Sequence, residues 1–345
     1  MSNKKRITFS ICIIFLLTFC ITPNIYAQQK PETERIDDLR DMLKNDYFNL
    51  SMLIQPKFDF AFDENGTRGF NVTQARFKGD GKLDGGFSYK LHFDVADSFT
   101  LLDAEIGYAL SEDATIIVGA QKPGISYEFL TGPNKIDFVS RSYIVSALTQ
   151  NRDFGVKLTG SLSDVFNYTV GMYNGNRLNA NDNNKFYYVG RLGYSSNTDN
   201  GTLIAGVNAS YGEQSNTRIA NGSLPNIDGE RIIYGGDIRY ENNRLILASE
   251  LLGASLEYLN FTDTHHVFGL HITGGYKFTD RSRALIRFEN LDSEQFGVFL
   301  NQERLVFGFT HYPTSQTAFR INYLLPTDDT SIENHGLALN YQLEF

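Results

Sequence analysis

The chain has 345 residues, a formal net charge of −9, two cysteines and no tryptophan. Both cysteines, Cys12 and Cys20, lie within the first 27 residues, so the rest of the chain can form no disulfide, thiolate metal site or cysteine nucleophile. The excess of acidic residues argues against nucleic acid as a partner.

The first 27 residues predict a cleaved secretion signal. Lys4, Lys5 and Arg6 form a basic start, an almost unbroken apolar run follows from 7 to 21, and Ala27 ends a plausible cleavage site. The run is too short for a membrane helix, which needs ~20 apolar residues. The bulky Phe19 before Cys20 argues against a lipoprotein signal, which has a small residue there.

Residues 28–46 are predicted to form a periplasmic N-terminal arm. The segment is charged, Pro31 is suited to start a short helix, and Ile36, Leu39 and Leu43 would share one face of it. The alternative is a small interaction helix that assists assembly.

From Tyr47 to Phe345, apolar and polar residues alternate, as in strands with one apolar and one polar face. The alternation predicts about 16 strands, an even number as in single-chain bacterial barrels. They are 47–62, 69–79, 85–96, 100–110, 114–122, 151–160, 165–174, 184–194, 201–212, 229–241, 244–259, 266–278, 282–290, 303–312, 316–324 and 334–345. The fold class is therefore all-β: a transmembrane antiparallel β-barrel over 47–345. Poor alternation in 69–79 and 244–259 suggests β-bulges.

The connections between these strands alternate in length. Those after even-numbered strands are short, whereas most of those after odd-numbered strands are long, which matches periplasmic turns and outer loops. The longest, 123–150, follows the fifth strand and is therefore the third outer loop. An ordinary long surface loop is the alternative to a functional one.

The stretch from 100 to 194 resembles the phosphate-selective porin O and P family. The matching words occur in family order and at similar spacing: 102–104 (LDA), 118–123 (VGAQKP), 141–142 (RS), 152–156 (RDFGV), 170–175 (VGMYNG) and 190–192 (GRL). The resemblance implies a homotrimer of 16-stranded barrels that passes small anions. The third loop of general porins folds into the lumen as the constriction, and we expect the same here. The ladder of loop arginines that favours phosphate in founding members has no match, so we expect at most a modest phosphate preference.

The period-two pattern assigns charged residues to the inner wall. A charge on the lipid face near the midplane would cost ~2–4 kcal/mol. The predicted pore-lining cations are Lys57, Arg76, Lys90, Lys157, Arg191, Arg239, Lys277, Arg287 and Arg320, with Lys122, Lys135 and Arg141 on the constriction loop. The predicted inward acids are Asp59, Asp94, Asp103, Glu105, Asp237 and Glu289. A wall richer in cations favours anions; alternatively, the charges pair with one another and give no selectivity.

The sequence thus predicts a porin for passive diffusion of small hydrophilic solutes, weakly anion-selective, in the outer membrane. The alternatives are a hydrophobic-substrate transporter, for which the 28–46 arm is too short a plug, and a structural or adhesive barrel. No enzyme, cofactor or metal site is expected: no serine lies in a nucleophile motif, and His265 and His266 lack the spacing of metal ligands. Expected partners are outer-membrane lipid, lipopolysaccharide and the assembly machinery, which in resembling proteins reads a terminal strand like the one ending at Phe345.

Overall fold

A computed structural model describes residues 42–149, 151–219, 224–261, 263–295 and 298–345. The expected signal peptide, 1–27, and residues 28–41 of the expected arm lie outside the described residues. Asp46–Phe345 form one compact unit. No helix in the described ranges is long and apolar enough to cross a membrane.

Sixteen strands form a closed antiparallel barrel in which each strand pairs with its neighbours in sequence and β1 pairs with β16. The prediction of 16 strands is confirmed. The strands are β1 Asn49–Ala61, β2 Arg68–Lys82, β3 Phe87–Asp94, β4 Thr100–Ser111, β5 Ala114–Gln121, β6 Asp153–Ser161, β7 Phe166–Tyr173, β8 Tyr187–Thr198, β9 Gly201–Thr217, β10 Ile227–Glu241, β11 Leu245–Tyr258, β12 Thr264–Thr279, β13 Ser282–Gln295, β14 Val298–Thr314, β15 Thr317–Pro326 and β16 Gly336–Glu344. Two short helices, α1 Tyr127–Leu130 and α2 Tyr143–Leu148, lie between β5 and β6, and 3₁₀ turns occur at Asp84–Gly86 and Ile332–Asn334.

The barrel wall has one apolar and one polar face, as the alternation predicts. In β13, Ile286 is 42% exposed and the next residue, Arg287, is 1% exposed. In β15 and β16, Arg320 lies opposite Asn340 on the polar face, while Ile321 lies opposite Leu339 on the apolar one. Because residues paired across a ladder share a face, register extends each assignment to neighbouring strands.

Several strands are longer than the alternation predicts. The expected loops 213–228 and 291–302 contain the end of β9, through Thr217, the end of β13 and the start of β14 at Val298. The extension of β9 is polar on both faces, as the 213–217 run of Glu, Gln, Ser, Asn and Thr shows. Backbone pairing needs no apolar side chain, so the ladder continues where the hydropathy signal ends.

The two strands predicted to contain bulges differ. β2 has one: Gln55 pairs with Gln74 and Pro56 with Val72, which leaves Thr73 as the extra residue. β11 pairs with β12 without a register shift. Its pairing with β10 does shift, but the extra residues lie in β10, where Ile227 pairs with Tyr258 and Arg231 with Leu256. The poor alternation of β11 has another cause: its polar-face positions carry apolar residues such as Leu252 and Ala254, which are buried in a core.

Candidate functional site

The connection between β5 and β6, residues 122–152, is the longest in the barrel, and we call it the third loop. Helix α1 begins after Ser126, whose side-chain oxygen accepts a hydrogen bond from the Phe129 N–H at 3.0 Å. Such a cap satisfies one of the free N–H groups at a helix start. The loop side chains divide into an acidic set, an apolar set and a basic set, each facing a different part of the wall.

The acidic set binds arginines of the polar face. Asp137 contacts Arg239 of β10 at 2.6 Å and Arg283 of β13 at 3.3 Å. Glu128 contacts Arg287 of β13 at 3.1 Å. Burial raises the pKa of the Asp137 carboxyl, but the charges of the two arginines outweigh burial and hold that pKa below its usual value. These carboxylates therefore stay ionised and tie the loop to β10 and β13.

Backbone groups of the third loop bind another part of the same face. The Gln55 amide of β1 donates to the Pro133 carbonyl at 3.1 Å, and Arg320 of β15 donates to the Asn134 carbonyl at 2.8 Å. The Val139 N–H donates to the side-chain oxygen of Asn322 at 2.6 Å. Each bond satisfies a loop backbone group that would otherwise need water.

The apolar set forms a core with β11, β12 and β13. Ile144, Val145 and Leu148 of α2 are fully buried and belong to one cluster with wall residues that include Leu252 and Val267. Full burial of such side chains stabilises the loop by about 1.5–3 kcal/mol each. The loop is thus held by a packed core as well as by ion pairs.

The basic set, Lys122 and Arg141, faces β1 to β4. The Lys122 ammonium donates to the Phe129 carbonyl oxygen, and Arg141 Nη2 lies 3.4 Å from the same oxygen. Arg141 also donates to the carbonyls of Glu128 at 3.1 Å and Thr131 at 2.8 Å. Among the described residues, neither cation has a carboxylate within ion-pair distance. Burial, followed by the nearby charges of Arg141 and Arg152, lowers the pKa of Lys122 to about 6.

Two cavities flank the third loop. One, of about 530 Å³, lies between the loop and β1 to β4, and its charged lining residues are Lys57, Arg76, Lys122, Arg141, Arg152, Asp94 and Asp97. The other, of about 640 Å³, includes Lys135, Asp137, Arg239, Arg283 and Glu344 in its lining. Both fall in the size range of ligand-binding sites.

All nine predicted wall cations lie in barrel strands, and most are ion-paired. Seven have a carboxylate partner: Lys57 with Asp59, Arg76 with Asp94, Lys90 with Glu105, Arg191 with Asp237, Arg239 with Asp137 and Glu241, Lys277 with Glu241, and Arg287 with Glu128 and Glu289. Arg320 binds Asn340, Gln342 and the loop backbone instead, and Lys157 lies opposite Ile117 and Gly171 in the ladder.

The structure separates the predicted cations into groups. Lys57, Arg76, Lys122 and Arg141 share the 530 Å³ cavity, whereas Lys135 and Arg239 line the 640 Å³ cavity. Arg287 and Arg320 are each 1% exposed and bind the third loop. Lys90, Lys157, Arg191 and Lys277 line neither the 530 Å³ nor the 640 Å³ cavity.

Three arginines were missing from the predicted set. Arg283 binds Asp137, Arg304 lies 3.8 Å from the Tyr143 ring centre, and Arg152 donates to Asp103 at 3.1 Å. Arg283 and Arg304 have the parity of inward positions in β13 and β14, so stricter use of the period-two rule could have found them. No group of three or more His, Cys, Asp or Glu in the described ranges could hold a metal ion.

Comparisons with known proteins agree with this geometry. The family model for phosphate-selective porin O and P matches residues 54–227. Among curated proteins, none matches the chain. Solved structures do: the chain is similar to OmpT of Vibrio cholerae in its trimer form, with 12% identity, a TM-score of 0.63, and coverage of 86% of this chain and 99% of that one. An anion-selective porin from Comamonas acidovorans has 13% identity, a TM-score of 0.63 and coverage of 86% and 99%. OprB of Pseudomonas putida has 10% identity, a TM-score of 0.64 and coverage of 90% and 97%.

Proposed function

Because the chain belongs to the phosphate-selective porin O and P family, it is an outer-membrane porin for passive diffusion, and we propose that its pathway is weakly selective for small anions. The selectivity arises where the pathway passes the third loop.

The third loop lies in the lumen and constricts it. Its residues bind the polar face of β1, β10, β13 and β15, and Asn134 reaches Glu344 of β16 at 2.9 Å. These strands span half of the closed barrel, from β10 through β16 to β1. A single segment can contact the same face of all of them only from inside the barrel.

The loop neutralises much of the charge that the wall alone would present. Arg239, Arg283 and Arg287 are paired with Asp137 and Glu128 of the loop. A paired and buried charge contributes little field to a passing ion. These arginines of β10 and β13 therefore anchor the loop rather than select solutes.

The observation that carries the anion proposal is the pair of cations on the other side of the loop. Among the described residues, Lys122 and Arg141 form hydrogen bonds only with backbone carbonyls. They line a cavity whose other cations, Lys57, Arg76 and Arg152, are each paired with a carboxylate. Positive charge in a narrow lumen attracts anions. Acidic residues on distant outer loops are screened beyond about 8–10 Å at physiological salt.

The proposal includes how the chain is exported and assembled in the outer membrane. A signal peptide over 1–27 would direct export, the 28–46 arm would remain in the periplasm, and 47–345 would form the barrel. Assembly as a homotrimer is supported by the trimeric OmpT of similar fold. Contacts with lipid and lipopolysaccharide are supported by the exposed apolar face, which includes Phe70 and Ile106.

The test is the reversal potential of the channel in planar bilayers under a KCl gradient at pH 5, where Lys122, with a pKa of about 6, carries its charge. We expect the wild type to prefer chloride, and Lys122→Gln combined with Arg141→Gln to shift the reversal potential toward potassium. Lys185→Gln removes an exposed cation that pairs with Glu213 and should change little. A wild-type channel that prefers potassium would refute the proposal.

A further inference from the structure

Resting on the proposed anion pathway, we infer that the 530 Å³ cavity beside the third loop binds small carboxylates with an apolar body in preference to inorganic phosphate. The inference goes beyond anion preference because it names the solute chemistry that this cavity accepts. It follows from three features of the cavity: how its two cations are placed, how its other charges are paired, and what lines the space between them.

The first feature is the convergence of two cations on one oxygen. The Lys122 ammonium and Arg141 Nη2 both bind the Phe129 carbonyl. An ammonium has three donors and a guanidinium five, more than these carbonyls use. A carboxylate has two acceptor oxygens and forms strong, paired hydrogen bonds with such groups. Burial lowers the pKa of Lys122 to about 6, but an anion bound beside the ammonium favours its charged form. A bound carboxylate therefore meets two converging cations.

The second feature is that the remaining cations are already neutralised. Arg76 contacts Asp94 at 3.0 Å, Arg152 contacts Asp103 at 3.1 Å, and Lys57 contacts Asp59 at 2.8 Å. A phosphate dianion entering the cavity would meet only the Lys122–Arg141 pair as uncommitted positive charge, and it would lie in the same cavity as the Asp94 and Asp97 carboxylates. Repulsion between like charges penalises a dianion more than a monoanion.

The third feature is the apolar part of the lining. Phe129, Ile136 and Leu102 line the cavity together with Val139 of the loop, and the Phe129 ring centre lies 4.6 Å from the Lys122 ammonium. Apolar surface gains free energy when it meets an apolar solute and offers nothing to a hydrated phosphate. A carboxylate on a hydrocarbon body satisfies both halves of the lining.

The experiment measures block of the chloride current through the wild-type channel by benzoate, acetate and inorganic phosphate at pH 7. We expect benzoate to block at a concentration at least tenfold lower than that of acetate or phosphate. Equal or stronger block by phosphate overturns the inference, while an anion-selective reversal potential in the same recordings would leave the proposed function standing.

Two variants separate the contributions of the lining. Val139→Thr keeps the shape of the side chain but replaces a methyl group with a hydroxyl, so benzoate block should weaken severalfold while acetate block stays unchanged. Val170→Thr makes the same change at an exposed position of the apolar face and is the matched control. Lys122→Met should weaken block by both carboxylates. If Val139→Thr leaves benzoate block at the wild-type level in a channel of normal conductance, the apolar half of the argument is wrong.

Discussion

The ion pairs of Asp137 give the sharpest test of the anchored loop. Asp137 is paired with Arg239 and Arg283, and all three side chains are 12–14% exposed. Asp137→Asn keeps the size of the side chain and removes its charge, which leaves Arg239 with Glu241 alone and Arg283 with no carboxylate partner among the described residues. We expect the loop to detach more often while the barrel stays assembled.

The magnitude follows from the cost of breaking a buried ion pair. Removing one partner of such a pair costs about 3–5 kcal/mol, and each 1.4 kcal/mol is about a factor of ten in an equilibrium constant. The undocked population of the loop should therefore rise by roughly two to three and a half orders of magnitude. Because Glu128, Asn134 and the α2 core still hold the loop, we expect frequent openings rather than a permanently open channel.

The assay combines single-channel recording with hydrogen exchange. Asp137→Asn should increase conductance fluctuations and accelerate exchange of the Val139 amide, which donates to Asn322 at 2.6 Å when the loop is docked. Glu213→Gln breaks the exposed pair with Lys185 and is the control, since such pairs contribute only ~0.2–1 kcal/mol. Conductance and exchange at wild-type levels in Asp137→Asn would refute the anchoring argument.

Four further predictions follow from the same structure. Chloride preference should increase as the pH falls through about 6, where Lys122 gains its proton, and Lys122→Met should abolish that step in the reversal potential. Leu148→Ala should lower stability by about 2–5 kcal/mol, measured by the urea midpoint of the loss of heat-modifiable mobility, because Leu148 is fully buried in the α2 core. Deletion of residues 129–140 should raise conductance in an assembled barrel, and a folded deletion variant of unchanged conductance would place the loop outside the pathway. Phe345→Ser keeps the backbone bonds to Met52 at 2.9 and 3.1 Å but should lower the amount of assembled barrel in membrane fractions, since the terminal aromatic residue is what the assembly machinery is expected to read.

Strand number and facing were predictable because lipid enforces them. Ile321 and Leu339 pair on one face, and Arg320 and Asn340 on the other. A one-residue slip would place every charge of a strand in lipid, so period two survives in the sequence wherever the wall crosses the membrane. Beyond the membrane the constraint disappears, which is why the ends of β9 and β13 and the start of β14 were predicted as loops.

The partners of the wall arginines could not be predicted. Arg287 and Arg76 look alike in the sequence: each occupies an inward position of a strand. Arg287 is paired with a loop residue 159 positions away, whereas Arg76 is paired with Asp94 in the next strand. Contacts of the first kind depend on how the third loop is folded, and alternation in the strands carries no information about that.

Counting inward cations therefore misjudges where selectivity resides. Arg239, Arg283 and Arg287 are paired with loop carboxylates, so their anchoring of the third loop adds little net charge to the proposed pathway. Arg320 anchors the loop through the Asn134 carbonyl instead. On the proposed pathway, selectivity depends on cations that bind neutral carbonyls, and the loop places two of them, Lys122 and Arg141, on one oxygen. Neutralising Lys122 and Arg141 should therefore reduce anion preference while the loop stays docked. Neutralising several wall arginines would also undock the loop, so its effect on selectivity could not be separated from that change.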